Sequence, residues 1–389
     1  MNFHRKHKSF FGSWWWTIDR ITLLAVIVII AFSAVMNATA SPSVADRIGV
    51  ESFIFFQHQI LYLVCAVFIV LGVSLLPPVA VRRLAILGFL CCLVTMILVL
   101  FYGAEIKGAH RWLDLRFFKL QPSEFMKPCF AVVTGWIVSQ RFTRPNYPSF
   151  MIATTLYALV ALLLILQPDF GMTVVISAVL GGQLFLAGLP LLLIMLGMVM
   201  GIIGAFGAYE FLPHVTKRFN NFIDPDGTAN YQVMRSLEAI RHGGFFGRGP
   251  GEGTIKQVLP DSHTDFIFSV VNEEFGMITG IFLITLFALI VLRGFSRIMH
   301  ETDLYIVFAA SGLLMQFGLQ AMINMGVTLH LLPTKGMTLP LISYGGSSTL
   351  AIALSVGMLL ALTRKRYGMT TLGSPVQRSE FRIHNTVSH

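Results

Sequence analysis

Residues 84–103 read Leu-Ala-Ile-Leu-Gly-Phe-Leu-Cys-Cys-Leu-Val-Thr-Met-Ile-Leu-Val-Leu-Phe-Tyr-Gly, twenty positions without a charge. At 1.5 Å per residue a helix of that length covers about 30 Å, the thickness of a bilayer's hydrocarbon core. Working outward from it, comparable apolar runs are centred on Ile21 to Met36, Ile60 to Leu76, Phe125 to Val138, Met151 to Leu166, Gly171 to Leu186, Leu191 to Leu212, Phe266 to Leu292, Leu304 to Met325 and Ile342 to Leu362. The expected fold class is therefore an all-α polytopic membrane protein with about ten transmembrane helices. Composition agrees: 55% of the residues are hydrophobic and 12% charged, against roughly 25% charged in soluble domains. A soluble globular protein is excluded.

Lysine and arginine crowd the cytoplasmic loops of membrane proteins, which tests the count of spans. With both termini inside, the inner segments carry Arg5, Lys6, Lys8, Arg20, Arg82, Arg83, Arg141, Arg144, Arg293, Arg297, Arg364, Lys365, Arg366, Arg378 and Arg382, opposed by Asp19, Glu301, Asp303 and Glu380. The net charge of +9 then divides into an inner excess of basic residues and a slightly acidic remainder. An even number of spans fits, and the basicity needs no nucleic-acid partner. Arg5 to Lys8, the first apolar run and Ala38-Thr39-Ala40 also resemble a cleaved signal peptide. Trp14, Trp15 and Trp16 instead suit the interfacial anchor of a retained first helix, the reading adopted here. Cys65, Cys91, Cys92 and Cys129 lie in apolar runs without metal spacing and are expected to be free thiols.

The chain divides into a cytoplasmic tail over 1–20, one transmembrane domain over 21–363 and a flexible cytoplasmic tail over 364–389. Two outer segments, Ala104 to Glu124 and the large loop 213–264 between spans seven and eight, are too long and polar to be turns, so the chemistry is expected there.

The large loop ends in Leu259-Pro260-Asp261-Ser262-His263-Thr264-Asp265-Phe266-Ile267-Phe268, which puts Asp265 at the outer mouth of a span. It suits either a helix cap or a general base towards a substrate hydroxyl. Glu273 and Glu274, two turns deeper, are ionisable groups in a costly place. Gln121-Pro122-Ser123-Glu124-Phe125-Met126-Lys127-Pro128 opens the fourth span, with Glu124 and Lys127 on one face. Either the two form a local pair, or Lys127 faces the interior and pairs with a carboxylate such as Asp265. Trp112 is an interface anchor or a sugar platform, flanked by Arg111 for phosphate. The glycines from Gly243 to Gly253, near Arg241, Arg248 and Lys256, form a tight surface loop or an anion nest, and match no nucleotide motif. Asp224-Pro225-Asp226-Gly227 is first a turn sequence, though it mimics the acidic motif of metal-dependent sugar transferases. Lys335, between Pro333 and Pro340, is a cation held outside by stiff backbone. His263 and His330 have no metal-spaced company.

Taken together, Gly108-Ala109-His110-Arg111-Trp112-Leu113, Gln121-Pro122-Ser123-Glu124, Tyr231-Gln232, His263-Thr264-Asp265-Phe266 and Ile342-Ser343-Tyr344-Gly345-Gly346-Ser347-Ser348 resemble the shape, elongation, division and sporulation family of bacterial peptidoglycan polymerases. The resemblance covers all the spans and omits only the tails. Pro333-Thr334-Lys335-Gly336 resembles its division branch. The resemblance implies a glycosyltransferase that polymerises lipid II on the outer face of the cytoplasmic membrane. It implies further that Asp265 is the catalytic base for the acceptor sugar's 4-hydroxyl, with undecaprenyl pyrophosphate leaving and inversion at the anomeric carbon. Substrate-binding roles are implied for Trp112, Arg111, Glu124, Lys127, His263, Lys335 and Ser343. Gln257 stands where many relatives carry Glu, and Asn272 where Gly or Ala is usual.

A pyrophosphate-linked donor arrives activated, so no nucleotide is expected. The family's chemistry also implies a divalent cation, Mg or Mn, with no ligand set legible in the sequence. Implied partners are lipid II, the nascent glycan strand, a class B penicillin-binding protein and other divisome membrane proteins at the septum. A lipid II flippase and a non-catalytic scaffold recruiting a transpeptidase are the competing readings. The absence of an internal repeat, and the clustering of charged candidates at the outer mouth, favour chemistry over transport.

Overall fold

The computed structural model of the chain describes residues 10–365 except 50, 52, 107–108, 115–118, 212–215, 217–227 and 334–335. In chain order the described elements are α1 (Phe10–Thr17), α2 (Arg20–Ile48), α3 (Ile54–Ser74), α4 (Pro78–Tyr102), β1 (Ala104–Ile106), β2 (Ala109–Asp114), β3 (Lys119–Leu120), α5 (Pro122–Thr143), α6 (Ser149–Leu166), α7 (Phe170–Leu186) and α8 (Leu191–Phe211). They continue as α9 (Thr228–Gly243), α10 (Ile255–Val258), α11 (Ile267–Ile298), α12 (Leu304–Thr328) and α13 (Gly346–Leu362). Each of the ten apolar runs falls on a helix. Six helices among the described residues, α2, α3, α4, α6, α11 and α12, are long and apolar enough to cross a membrane, while α7 and α13 are shorter apolar helices. The chain is a multi-pass membrane protein.

Helix α5 carries a weaker apolar signal because it lies inside the bundle, packed on α4, α6, α7, α12 and α13. Nearly all of it from Pro122 to Ser139 is buried, so polar side chains there meet protein instead of lipid. A Cβ on Gly135 would stand 2.6 Å from the Ala309 amide nitrogen, so glycine is what lets α5 lie directly on α12. Gln183 of α7 then ties both, its Nε2 donating to the carbonyls of Ala131 at 2.7 Å and Phe308 at 3.0 Å. Small residues and buried amides replace the hydrophobic effect as interhelical glue in a bilayer.

One end of the bundle gathers the groups assigned to the inside. Asp19 accepts from Arg293 Nε at 2.9 Å and pairs with Arg297 Nε at 2.9 Å, and Arg364 Nε donates to Thr17 Oγ1 at 3.1 Å. Helix α2 runs unbroken through Ala38-Thr39-Ala40, with Ala40 buried in a core shared with α3, α11 and α13.

Among the described residues, both outer segments contain regular structure. β1 pairs with β2 and β2 with β3, all antiparallel, a small sheet that the all-α expectation omitted. Strands of two to six residues leave too little alternation to read. The 213–264 segment contains α9 and α10. Residues 224–227, whose sequence suits a turn, lie outside the described residues.

Helix α11 is broken at Gly276, where φ is 82° and ψ 169°. A break in a membrane helix strands backbone polar groups, and each must find a partner in protein. The glycine-rich segment supplies them. Arg248 N donates to the Glu273 carbonyl at 3.0 Å and Gly249 N to the Glu274 carbonyl at 3.0 Å, while Met277 N and Ile278 N donate to the carbonyls of Gly244 at 2.9 Å and Phe245 at 3.3 Å. The glycine-rich segment thus completes the broken helix, two of its amides being spent on helix carbonyls. A Cβ on Gly276 would collide with the Phe245 carbonyl oxygen. Gly276→Ala is expected to cost about 2 kcal/mol or more, read as a lower midpoint of thermal unfolding in detergent; an unchanged midpoint would show that the break relaxes freely.

Candidate functional site

At the opposite end from Asp19, four segments converge: the start of α11, the start of α5, the outer half of α12 and the 333–348 stretch leading into α13. Asp265 lies just before α11, whose N-cap is Phe266. Three consecutive carbonyls around it are held. That of His263 accepts from Tyr344 N at 2.8 Å, that of Thr264 from Ser343 Oγ at 2.5 Å, and that of Asp265 from Asn324 Nδ2 at 2.9 Å. The main chain under the carboxylate is therefore fixed from two sides.

The stretch that does the holding is itself anchored. Asn37 Nδ2 of α2 donates to the Ile342 carbonyl at 2.9 Å, and Gln59 Nε2 of α3 to the Ser343 carbonyl at 3.3 Å. Ser343 Oγ accepts from Leu339 N at 2.8 Å, so this buried hydroxyl, expected to bind substrate, has both its roles filled by backbone. His263 packs between Phe55 and Tyr344, with centroids 5.4 and 5.3 Å away. Burial first, and then the neighbouring Tyr62, pushes the Tyr344 hydroxyl up to about 12, so it stays protonated. The carboxylate side of Asp265 faces the next turn: a Cβ on Gly336 would lie 3.5 Å from Asp265 Oδ2. Lys335, which precedes that glycine, lies outside the described residues.

Lys127 and Glu124 are 2% and 4% exposed, and Lys127 Nζ lies 2.8 Å from Glu124 Oε2. Each earlier reading is half met. The pair is local, three residues apart on α5, yet it faces the bundle interior. The interhelical partner of Lys127 is Gln320 Oε1 at 2.7 Å and not a second carboxylate, because Glu124 already neutralises the charge. Gln320 Nε2 in turn donates to the Thr338 carbonyl at 3.1 Å, and Thr338 Oγ1 lies 2.5 Å from Ser348 Oγ. A polar chain thus runs from α5 across α12 to the start of α13.

Arg111 is used structurally. Its Nε donates to the Gln167 carbonyl at 2.9 Å and its Nη2 to that of Pro168, and Nη1 stands 4.0 Å from Asp169 Oδ2. These contacts close the α6–α7 turn. Burial raises the Asp169 carboxyl above its usual range and Arg111 opposes this. Trp112, half-buried on β2, is held by strand pairing with Ala104.

Glu273 and Glu274 are also explained locally. Glu273 accepts from the amides of Ile255 at 2.8 Å and Lys256 at 3.1 Å, and Glu274 pairs with Lys256, whose Nζ also donates to the Thr39 carbonyl at 2.9 Å. They latch the outer segment onto α11 and α2. Gln257 is exposed, and Asn272 packs its amide against Gly280.

Sequence reasoning missed Gln320, Asn324 and Thr338. Two of these had a signal: Gln316, Gln320 and Asn324 recur every fourth residue along an apolar helix, one face of it. Among the described residues no three His, Cys, Asp or Glu side chains come together as a metal site. The implied divalent cation therefore has no ligand set among the described residues.

Residues 19–368 match the family model FTSW_RODA_SPOVE, described as cell cycle protein. A probable peptidoglycan glycosyltransferase FtsW of Caulobacter vibrioides (strain NA1000 / CB15N) is 43% identical over 368 residues, covering 94% of both chains. The protein of the same name from Marinomonas mediterranea is 35% identical over 365 residues, covering 89% of this chain and 87% of its own. Among solved structures, a chain of a peptidoglycan synthase complex, studied for structural coordination of polymerization and crosslinking, matches with TM-score 0.76 and 27% identity over 90% of this chain and 98% of its own. The rod shape determining protein RodA of Thermus thermophilus matches with TM-score 0.68 and 26% identity over 91% of this chain and 99% of its own. The chain belongs to the FtsW/RodA/SpoVE family of cell cycle proteins.

Proposed function

We propose that the chain is a peptidoglycan glycosyltransferase that polymerises lipid II into glycan strands at the outer face of the cytoplasmic membrane during septal wall synthesis. The observation that carries this reading is the carboxylate of Asp265 at the outer end of the bundle, on main chain whose three successive carbonyls are each held by a hydrogen bond. Such fixing is what a general base needs, since proton transfer demands a set distance and direction.

In the reaction, Asp265 takes the proton of the acceptor sugar's 4-hydroxyl as that oxygen bonds to the anomeric carbon of the lipid-linked strand. The bond to pyrophosphate breaks on the opposite face, its electron pair leaves with undecaprenyl pyrophosphate, and the proton remains on the Asp265 carboxyl. The Glu124–Lys127 pair and Gln320 fix the Thr338 backbone, and through it the segment that holds Asp265. Lys335, carried in that same segment, is assigned to the anionic substrate. Trp112 and His263 are assigned to the sugars. No step is routed through a metal ion, for which the described residues offer no ligand set.

The partner is a transpeptidase of the class B penicillin-binding type, a reading supported by the likeness to a synthase complex that couples polymerization with crosslinking. The septum is assigned on the FtsW relatives. The test is polymerisation of purified lipid II with the partner's transpeptidase inactivated. Strands from the wild type are expected; none, with lipid translocation measurable instead, would replace the polymerase by a flippase.

A further inference from the structure

Asn324 sits on α12, one turn beyond Gln320, and is 1% exposed. Its Nδ2 donates to two main-chain oxygens, that of Asp265 at 2.9 Å and that of Met337 at 2.6 Å. These belong to different segments. One leads into α11 and carries the carboxylate; the other follows Gly336, whose backbone faces Asp265 Oδ2. One amide on α12 therefore ties the main chain under the carboxylate to the turn opposite it, alongside the Ser343 and Tyr344 bonds to residues 264 and 263.

The orientation of the amide follows from its partners, because rotating it would set Oδ1 against two carbonyl oxygens. In the assigned orientation Oδ1 is buried with no hydrogen-bond partner among the described residues. A buried orphan acceptor is unfavourable, and an apolar side chain of the same size would avoid it. The two donated bonds are what offset that cost. Ser343 and Tyr344 hold the neighbouring carbonyls from the same stretch that carries Met337. Of the three donors Asn324 is the one mounted on a transmembrane helix, a rigid reference for both segments.

We propose that Asn324 is a positioning residue for glycan synthesis, which sets the Asp265 carboxylate against the Gly336 turn by holding both backbones at once. This rests on the assignment of Asp265 as the base. Asn324→Leu removes both donors at nearly constant volume, and Asn324→Asp removes them at constant shape. Each is compared with wild type for kcat and KM on lipid II, for the pH–rate profile, for folded yield, and for the rate at which a water-soluble carbodiimide labels Asp265 in the protein without substrate.

The expected result is a kcat lower by about 10- to 100-fold per folded molecule with KM little changed. The acidic limb of the pH–rate profile is displaced, and the labelling rate of Asp265 changes by about threefold or more. Wild-type kcat and labelling in Asn324→Leu would overturn the proposal. So would an activity loss that matches the loss of folded protein while the pH profile and labelling stay put, since that is a merely structural role. If Asn324→Leu does not fold, Asn324→Asp is judged by the same readouts, and failure of both to fold also overturns the positioning role. Should the wild type itself make no strands, the polymerase reading fails separately, and unchanged labelling would still overturn the clamp.

Discussion

Asp265→Asn leaves a folded, partner-binding protein whose strand synthesis is lower by about 10²- to 10⁴-fold. The three hydrogen bonds that fix this stretch fall on main-chain oxygens of residues 263–265, and the substitution touches none of them. The change falls on the carboxylate: an amide of the same shape cannot accept the hydroxyl proton. Strand length and turnover on lipid II, measured with the partner present, check it. Turnover within about tenfold of wild type would sink the general-base role.

The second large effect is on folding. Lys127→Ala removes the cation from Glu124 in a place where neither side chain reaches solvent, and it strands Gln320 Oε1 as well. Breaking a buried pair by removing one member costs about 3–5 kcal/mol, because the other is left charged and unpaired. Monodisperse yield is expected to collapse, and activity with it. Adding Glu124→Gln should recover much of the yield, since it removes the stranded charge. A single variant that purifies normally and synthesises strands would show that the pair contributes nothing.

What the sequence made legible was governed by period and by cost. The ten apolar runs stand out because a bilayer demands unbroken apolar length. The inner arginines were legible for the same reason, and Arg293 and Arg297 meet Asp19 at one end. Glu124 and Lys127 stood out as charges in a span, yet their pairing was left open, because helical spacing gives the face of a residue but not its partner across the bundle. The contacts of Arg111 were not legible, because backbone carbonyls, which no sequence displays as sites, accept from its guanidinium. Ser343, Asn324 and Gln320 act on main chain too. Their signal is only that they are polar at helical spacing or beside glycines.

The break at Gly276 has one more consequence, for anyone who would alter the chain. Residues 244 to 249 complete the hydrogen bonding of α11, so their number and register are fixed as rigidly as those of a strand inside a sheet. An epitope tag or reporter spliced into them would leave amides and carbonyls bare inside the protein. Although this stretch reads as an outer loop, its length is set by a helix it does not belong to.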